Sequence, residues 1–167
     1  IWCEPAENII GADINGDGFD EIIYGSAALK HDGTLLYRTG FGHGDAMHVS
    51  DMDPDREGLE TYDVHEDGLA ATYTEELRDK DGKVIWGTLQ ATYGDGKGVD
   101  NGRGLAADID STNRGFEMWF GTSGGVRTVK RELLATNKPS VNFRVYFSGD
   151  LQDELLDGNV IDTWNGS

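Results

Sequence analysis

Two short stretches gather the residues most able to do chemistry. "GFGHGDAMHVSD" (40–51) holds His43, Asp45 and His48, and "YDVHEDG" (62–68) holds His65, Glu66 and Asp67. Imidazole beside carboxylate can ligate a metal or move a proton. Gly42 and Gly44 flank His43, so its backbone can approach a ligand closely. A hydrogen-bonded loop or core residue is the plainer reading for any single histidine, above all for His48, which stands at an apparent strand entry. His43 with Asp45 in a glycine-rich loop is the sharper case.

A second kind of chemistry recurs along the chain. "ADINGDGFDEIIYG" from Ala12, "SDMDPDREGLETYDV" from Ser50 and "ADIDSTNRGFEMWFG" from Ala107 each run from alternating acids into an apolar stretch. Ca²⁺ takes six to eight oxygens, and acids at alternate positions of a tight turn present them from one side. In the first loop Asp13, Asn15 and Asp17 occupy positions one, three and five. Phe19 can add its backbone carbonyl, and Glu21 closes the set. The second loop supplies Asp51, Asp53, Asp55, Glu57 and Glu60, and the third Asp108, Asp110, Thr112 and Glu117. The competing reading is an exposed acidic turn. The third loop carries the fewest charges and is expected to bind least.

These residues need strands to hold them. Each acidic loop leads into an alternating apolar run, and "KHDGTLLYRTG" and "DKDGKVIWGTL" repeat a later Asp-Gly turn followed by a strand; "LLDGNVIDTW" is a looser copy. Asp-Gly between apolar runs is a hairpin signal. Strands are predicted near 20–25, 35–38, 59–64, 84–87, 116–121 and 142–147. "TVKRELLATN" (128–137) is the one helix-like stretch. A repeat of roughly 40–60 residues suits multi-stranded propeller blades. Three repeats do not close a ring, so the chain is expected to be part of a larger protein, with no internal domain boundary over 1–167.

"ADINGDGFDEIIYG", "GHGDAMHVSDMDP", "VHEDG" and "GRGLAADID" together resemble the polysaccharide lyase family 11 rhamnogalacturonan lyases, nearly end to end. The resemblance implies an all-β fold: part of an eight-bladed β-propeller with calcium-binding loops, about three blades and part of another. It implies a secreted enzyme that cleaves the rhamnose–galacturonate bond of rhamnogalacturonan I by β-elimination, with Ca²⁺ as cofactor. A cleft cation would be held by His43, Asp45 and Glu66. The family's further histidine is replaced here by Glu7, which could still donate oxygen. Arg103 and His43 are the implied catalytic residues, and Arg103 and His65 the implied substrate contacts. "TYGDGKGVDN" is longer than the usual connection. The other blades of the full-length chain would be partners.

Composition bounds these readings. The chain has 167 residues, with 31 acids against 14 bases and a net charge of −17. Nucleic-acid binding needs a basic footprint, which is missing. An anionic membrane surface is disfavoured for the same reason, and no stretch approaches a membrane span. Cys3 is the only cysteine, so no internal disulfide can form. An anionic substrate requires that a bound cation or local bases invert the field. The alternatives are a non-catalytic calcium-binding propeller of the integrin-like type and a polysaccharide-binding module. The first does not require the Gly-His-Gly-Asp and Val-His-Glu-Asp pieces, and the second could keep the cleft and lose the base.

Overall fold

The computed structural model describes residues 6–66, 71–90 and 101–166. Every regular element among them is a strand. Four antiparallel meanders follow one another along the chain. The first contains β1 (Ile9–Ala12), β2 (Glu21–Tyr24), β3 (Ala27–Leu29) and β4 (Leu35–Arg38). The second contains β5 (Gly44–Ser50), β6 (Glu60–His65), β7 (Tyr73–Arg78) and β8 (Val84–Leu89). The third contains β9 (Gly104–Ala107), β10 (Glu117–Phe120), β11 (Val126–Thr128) and β12 (Leu133–Ala135). The fourth has β13 (Phe143–Val145), β14 (Glu154–Asp157) and β15 (Val160–Asp162).

The predicted strands all appear, and the first two sheets each carry two more, β1 and β3 or β5 and β7, while the third carries β9, β11 and β12 besides β10. The helix-like stretch 128–137 is instead a tight turn and β12. Thr128 N–H donates to Glu132 O at 2.9 Å and Arg131 N–H to Thr128 O at 2.7 Å. The same turn, Lys30–Thr34 and Asp79–Lys83, closes the matching hairpins of the first two sheets. Its fourth residue needs positive φ, which Gly33 and Gly82 supply freely and Arg131 adopts at 70°.

Apolar side chains join successive sheets. Ile23 and Tyr37 of the first pack with Met47 of the second; Tyr62, Val64 and Leu77 of the second pack with Met118 and Phe120 of the third; Trp119 and Val126 of the third pack with Leu155 of the fourth. Backbone bonds repeat the pattern. Leu59 N–H donates to Ile14 O at 3.0 Å and Phe116 N–H to Met52 O at 3.0 Å. Each sheet therefore covers the acidic loop of the one before it.

Gly58 and Gly115 make that approach possible. Both have positive φ, and a Cβ on either would lie 2.6 Å from Ile14 O or 2.4 Å from Met52 O, respectively. The first strands meet at the inner side. His48 Nε2–H of β5 donates to Gly104 O of β9 at 3.1 Å, and Ala6 forms a parallel bridge with Gly44.

Candidate metal-binding cleft

Every sheet brings the start of its first strand to one cleft. Glu7 and Asn8 precede β1, Asp45 to His48 belong to β5, Gly102 to Gly104 enter β9, and Val141 to Phe143 enter β13. The cleft encloses about 420 Å³. Asn8 Nδ2–H donates to Asp45 O at 2.6 Å, and Glu7 N–H to Gly44 O at 3.2 Å, so the chain ahead of β1 is tied along β5. Arg103 is exposed on the cleft wall.

Of the expected ligands, Asp45 lines the cleft, and His43 and Glu66 meet each other. His43 Nδ1 lies 3.5 Å from Glu66 Oε2, and both side chains are partly open to solvent. Asp45 Oδ2 and Glu66 Oε1 lie 3.0 Å and 4.0 Å from the place a Cβ on Gly102 would take. Glycine there leaves a small space faced by two carboxylates, with an imidazole beside one of them. Hard oxygen donors with one nitrogen suit a divalent cation. Glu7, exposed on the same cleft, is within the set that could add an oxygen.

His65 does not line the cleft, contrary to the expected substrate contact. It is fully buried beneath the cleft, where its Nδ1 faces His43 O at 3.3 Å. Its Nε2 faces Glu76 Oε1 at 3.7 Å, and Asp63, Glu76 and Arg78 are equally buried. Burial alone would lower its pKa, but the Glu76 and Asp63 carboxylates outweigh that and raise it above the ordinary histidine value. Arg78 Nη1 faces the same two carboxylates, 3.3 Å from Asp63 Oδ2 and in contact with Glu76 Oε1. Glu66 N–H also donates to His43 O at 3.2 Å. The buried group thus supports the loop that presents His43. Asp67 lies outside the described residues, as does most of "TYGDGKGVDN". His48 is structural, through its bond to Gly104 O; burial lowers its pKa.

The acidic loops share one device. The first residue of the second strand in each sheet is a buried glutamate that accepts loop N–H groups. Glu21 Oε2 takes Ile14 N–H at 3.3 Å, and Glu60 Oε2 takes Met52 and Asp53 N–H at 3.0 Å each. Glu117 Oε2 takes Ile109 and Asp110 N–H at 3.0 Å each. Glu154, missed in the sequence, takes Phe147 N–H at 2.8 Å. The signal was available, since Asp153-Glu154-Leu155-Leu156 mirrors Asp20-Glu21-Ile22-Ile23, but Tyr146 and Ser148 stand where Asp13 and Asn15 stand in the first loop.

In loops 13–21 and 108–117 the other glutamate oxygen, Glu21 Oε1 or Glu117 Oε1, is buried without a protein partner. Burial, with Asp108 and Asp110 adding to it, pushes the Glu117 carboxyl up to about 7. An orphaned buried carboxylate oxygen facing further acids fits a cation. Asp13 Oδ1 already accepts Gly16 and Asp17 N–H at 2.8 Å and 3.0 Å, and Asp17 Oδ1 accepts Phe19 N–H at 3.0 Å, which curls the first loop as a cation would require. Asn15 Oδ1 takes Asp17 N–H at 2.9 Å. The Phe19 ring is exposed and stacks on His31 at 4.4 Å. In the third loop Asp110 Oδ1 accepts the Thr112 hydroxyl at 2.6 Å. Asp108 N–H donates to Asp153 Oδ2 at 3.0 Å, adding a carboxylate that the sequence reading lacked.

Loop 51–60 is filled differently. Lys130 Nζ lies 2.7 Å from Asp53 Oδ1, Arg56 Nε 3.2 Å from Asp53 Oδ2, and Arg114 Nη1 3.2 Å from Asp55 Oδ1. Asp51 and Glu57 are exposed.

Comparison with known proteins places this architecture. A family model described as "Rhamnogalacturonan lyase family 11, C-terminal domain" matches residues 3–167. The chain is similar to the rhamnogalacturonan endolyase YesW of Bacillus subtilis (strain 168), 46% identical over 160 residues that cover 95% of this chain and 24% of that protein. It is equally similar to the rhamnogalacturonan exolyase YesX of the same strain, 46% identical over 165 residues, 93% of this chain and 25% of that protein. The chain thus spans about a quarter of the length of these relatives. The crystal structure of YesW superposes with a TM-score of 0.87 at 45% identity, over 98% of this chain and 27% of that one. A Bacillus licheniformis family 11 rhamnogalacturonan lyase gives a TM-score of 0.86 at 46% identity, over 98% and 26%.

Proposed function

The chain belongs to rhamnogalacturonan lyase family 11, and on that premise we propose that it is the cleft-bearing part of a secreted, Ca²⁺-dependent lyase that cuts rhamnogalacturonan I by β-elimination. The observation that carries this reading is the cleft itself. Four successive sheets each send their first strand to it, and Asp45 and Arg103 both line it, with the His43–Glu66 pair reaching toward Asp45 across Gly102. The complete enzyme is a ring of eight such sheets. An open face on the fourth sheet supports a continuing ring: Phe147 is 73% exposed, whereas Ile14, Met52 and Ile109, at the matching loop position, are buried under the following sheet.

The substrate carries a uronate carboxylate. Asp45, Glu66 and Glu7 would repel it, so the cleft needs a cation to reverse its local field. His43, Asp45 and Glu66 are the residues that would hold Ca²⁺, with Glu7 as a further oxygen donor. Bound there, the ion would neutralise the uronate and stabilise the charge that develops on its carboxylate.

Arg103 contributes a second positive group. Removing the proton from C5 of the uronate leaves an electron pair that delocalises into the carboxylate as an enolate. The pair then forms the C4=C5 double bond as the C4–O bond to rhamnose breaks. A guanidinium placed at that carboxylate favours the transition state over the ground state. Arginine stays protonated at ordinary pH, so Arg103 stabilises charge, and the base comes from another part of the ring. His43 holds the cation, its carbonyl fixed by Glu66 N–H and the His65 ring.

The test uses the full-length protein and rhamnogalacturonan I. Cleavage is followed by the absorbance of the unsaturated uronate. Chelation should abolish it and added Ca²⁺ should restore it. Undiminished cleavage in chelator would sink the cation reading, and binding without any cleavage would leave a polysaccharide-binding module.

A further inference from the structure

The second acidic loop departs from its neighbours in what occupies it. Its Asp53 is 1% exposed, and both of its carboxylate oxygens already face cationic side chains. Lys130 Nζ lies 2.7 Å from Oδ1 and 2.8 Å from Oδ2, with Arg56 Nε a further 3.2 Å from Oδ2. Lys130 also reaches Asp55 Oδ2 at 3.3 Å, and Arg114 approaches the other Asp55 oxygen at 3.2 Å. The orphaned oxygen found on Glu21 and Glu117 has no counterpart on Glu60 or Asp53.

Lys130 is delivered by a turn that is itself docked. It is the third residue of the tight turn Thr128–Glu132, where the other two hairpins carry Asp32 and Asp81. Trp86 Nε1–H of β8 donates to Val129 O at 2.8 Å, and Arg131 places its guanidinium 5.9 Å from the centre of the Trp86 ring. Arg131 Nη2–H also donates to Thr88 Oγ1 at 3.4 Å. These contacts fix the turn of the third sheet over the edge of the second. They hold Arg131 at a φ of 70°, a conformation that side-chain-bearing residues seldom adopt.

We propose that the Lys130 ammonium is the resident cation of loop 51–60, and that this loop takes no Ca²⁺ although its sequence reads as a calcium comb. A calcium ion must sit about 2.3–2.6 Å from its carboxylate oxygens. On Asp53 that space belongs to the ammonium. The lysine is tethered by a clamped turn, so its effective concentration at Asp53 is high, on the order of millimolar or above. A divalent ion would have to expel it and would leave Arg56 and Arg114 beside a doubly charged neighbour. The seam between the second and third sheets is therefore independent of calcium, while loops 13–21 and 108–117 keep their unpartnered oxygens.

The test is anomalous diffraction from crystals of the full-length lyase grown with Ca²⁺, paired with thermal unfolding at one scan rate in Ca²⁺ and in chelator. In the wild type, no anomalous peak is expected at Asp53, where the Lys130 side chain should be seen. In Lys130→Met the freed Asp51, Asp53 and Asp55 should gain a peak. That variant should melt at least about 2 °C lower than wild type in chelator and recover most of the difference in Ca²⁺. Lys130→Arg should keep the loop free of calcium. A calcium peak on Asp53 in the wild type overturns the proposal. So does a Lys130→Met protein that neither melts lower in chelator nor gains a peak.

Discussion

Gly102→Ala offers a direct probe of the cleft, because the new methyl points at the two carboxylates that are meant to share a cation. Gly102 is outside the left-handed region, so alanine fits its backbone without torsional strain. The methyl would stand 3.0 Å from Asp45 Oδ2, 3.8 Å from its Cγ and 4.0 Å from Glu66 Oε1. The first distance is a few tenths of an ångström too short, so Asp45 must retreat by about that much. Metal–ligand distances tolerate only about ±0.2 Å. Disturbing the support of a ligand typically weakens metal binding about 10–100-fold, or about 1.4–2.8 kcal/mol. Chelator-stripped full-length lyase would be titrated with Ca²⁺ while cleavage of rhamnogalacturonan I is read by absorbance. The half-saturating concentration should rise by that factor, with most of the maximal rate recovered at saturation. Gly11→Ala, where an added Cβ meets nothing within 4 Å, should leave the titration unchanged. A Gly102→Ala enzyme that titrates like wild type would refute the idea that Asp45 and Glu66 grip one ion across Gly102.

Three further outcomes are expected. Asp45→Ala should cost orders of magnitude in turnover with little loss of melting temperature, whereas Asp13→Ala should do the reverse; paired kinetics and melting curves on both variants check this. Gly58→Ala forces a left-handed residue and a Cβ 2.6 Å from Ile14 O, breaking the Leu59 N–H bond to that oxygen. It should cost about 2–4 kcal/mol by denaturant titration, against about 1 kcal/mol for Gly16→Ala, whose left-handed glycine faces open space. The third outcome concerns acid. Burial raises the Asp53 pKa, but Lys130 and the Asp55 N–H outweigh it and hold the carboxyl below its ordinary value. A depressed acid contributes stability above its unfolded pKa of about 4 and loses it as pH falls further. The melting difference between wild type and Lys130→Met in chelator should therefore be constant at neutral pH and shrink progressively as the pH falls below about 4.

The second strands of the first three sheets and the fourth strands of the first two were legible because they follow simple rules. β2, β4, β6, β8 and β10 alternate or run apolar, and Asp-Gly or a buried glutamate marks where several of them begin. The first strands were not, because their residues answer to the cleft and to neighbouring first strands. β5 reads Gly-Asp-Ala-Met-His-Val-Ser and β9 Gly-Leu-Ala-Ala, small or polar where a strand pattern would want bulk. Gly104 is small because a Cβ there would lie 2.4 Å from Val64 Cγ2. The stretch 128–137 looked helical because Lys130, Arg131, Glu132, the two leucines and Ala135 carry good helix propensity. Tertiary contacts decide otherwise: Lys130 and Arg131 have partners on the second sheet that a helix could not present to them. His65 stood in a motif with Glu66, yet strand alternation sends adjacent side chains to opposite faces. Glu66 therefore meets the cleft and His65 the buried Asp63, Glu76 and Arg78.

The acidic loops superpose two demands that a sequence cannot separate. One is backbone chemistry: a tight turn leaves N–H groups pointing inward, and a buried glutamate at the next strand must accept them. Glu21, Glu60, Glu117 and Glu154 all do so. The other is charge: a buried carboxylate needs a positive partner or must take up a proton. Here the loops part. Glu21 and Glu117 each keep a buried oxygen without a protein partner, Asp53 beside Glu60 is met by Lys130, and in the fourth loop Glu154 accepts both Phe147 and Ser148 N–H while Tyr146 and Ser148 stand where the first two alternating ligands would be. The glutamate is thus required by the fold in every sheet, so its presence alone does not mark a cation loop. The alternating acids ahead of it are ambiguous too, because an ammonium on the next sheet satisfies the same carboxylates. What distinguishes a calcium loop from a lysine-filled one is residue 130, which lies 77 positions from Asp53 along the chain and one sheet away in space.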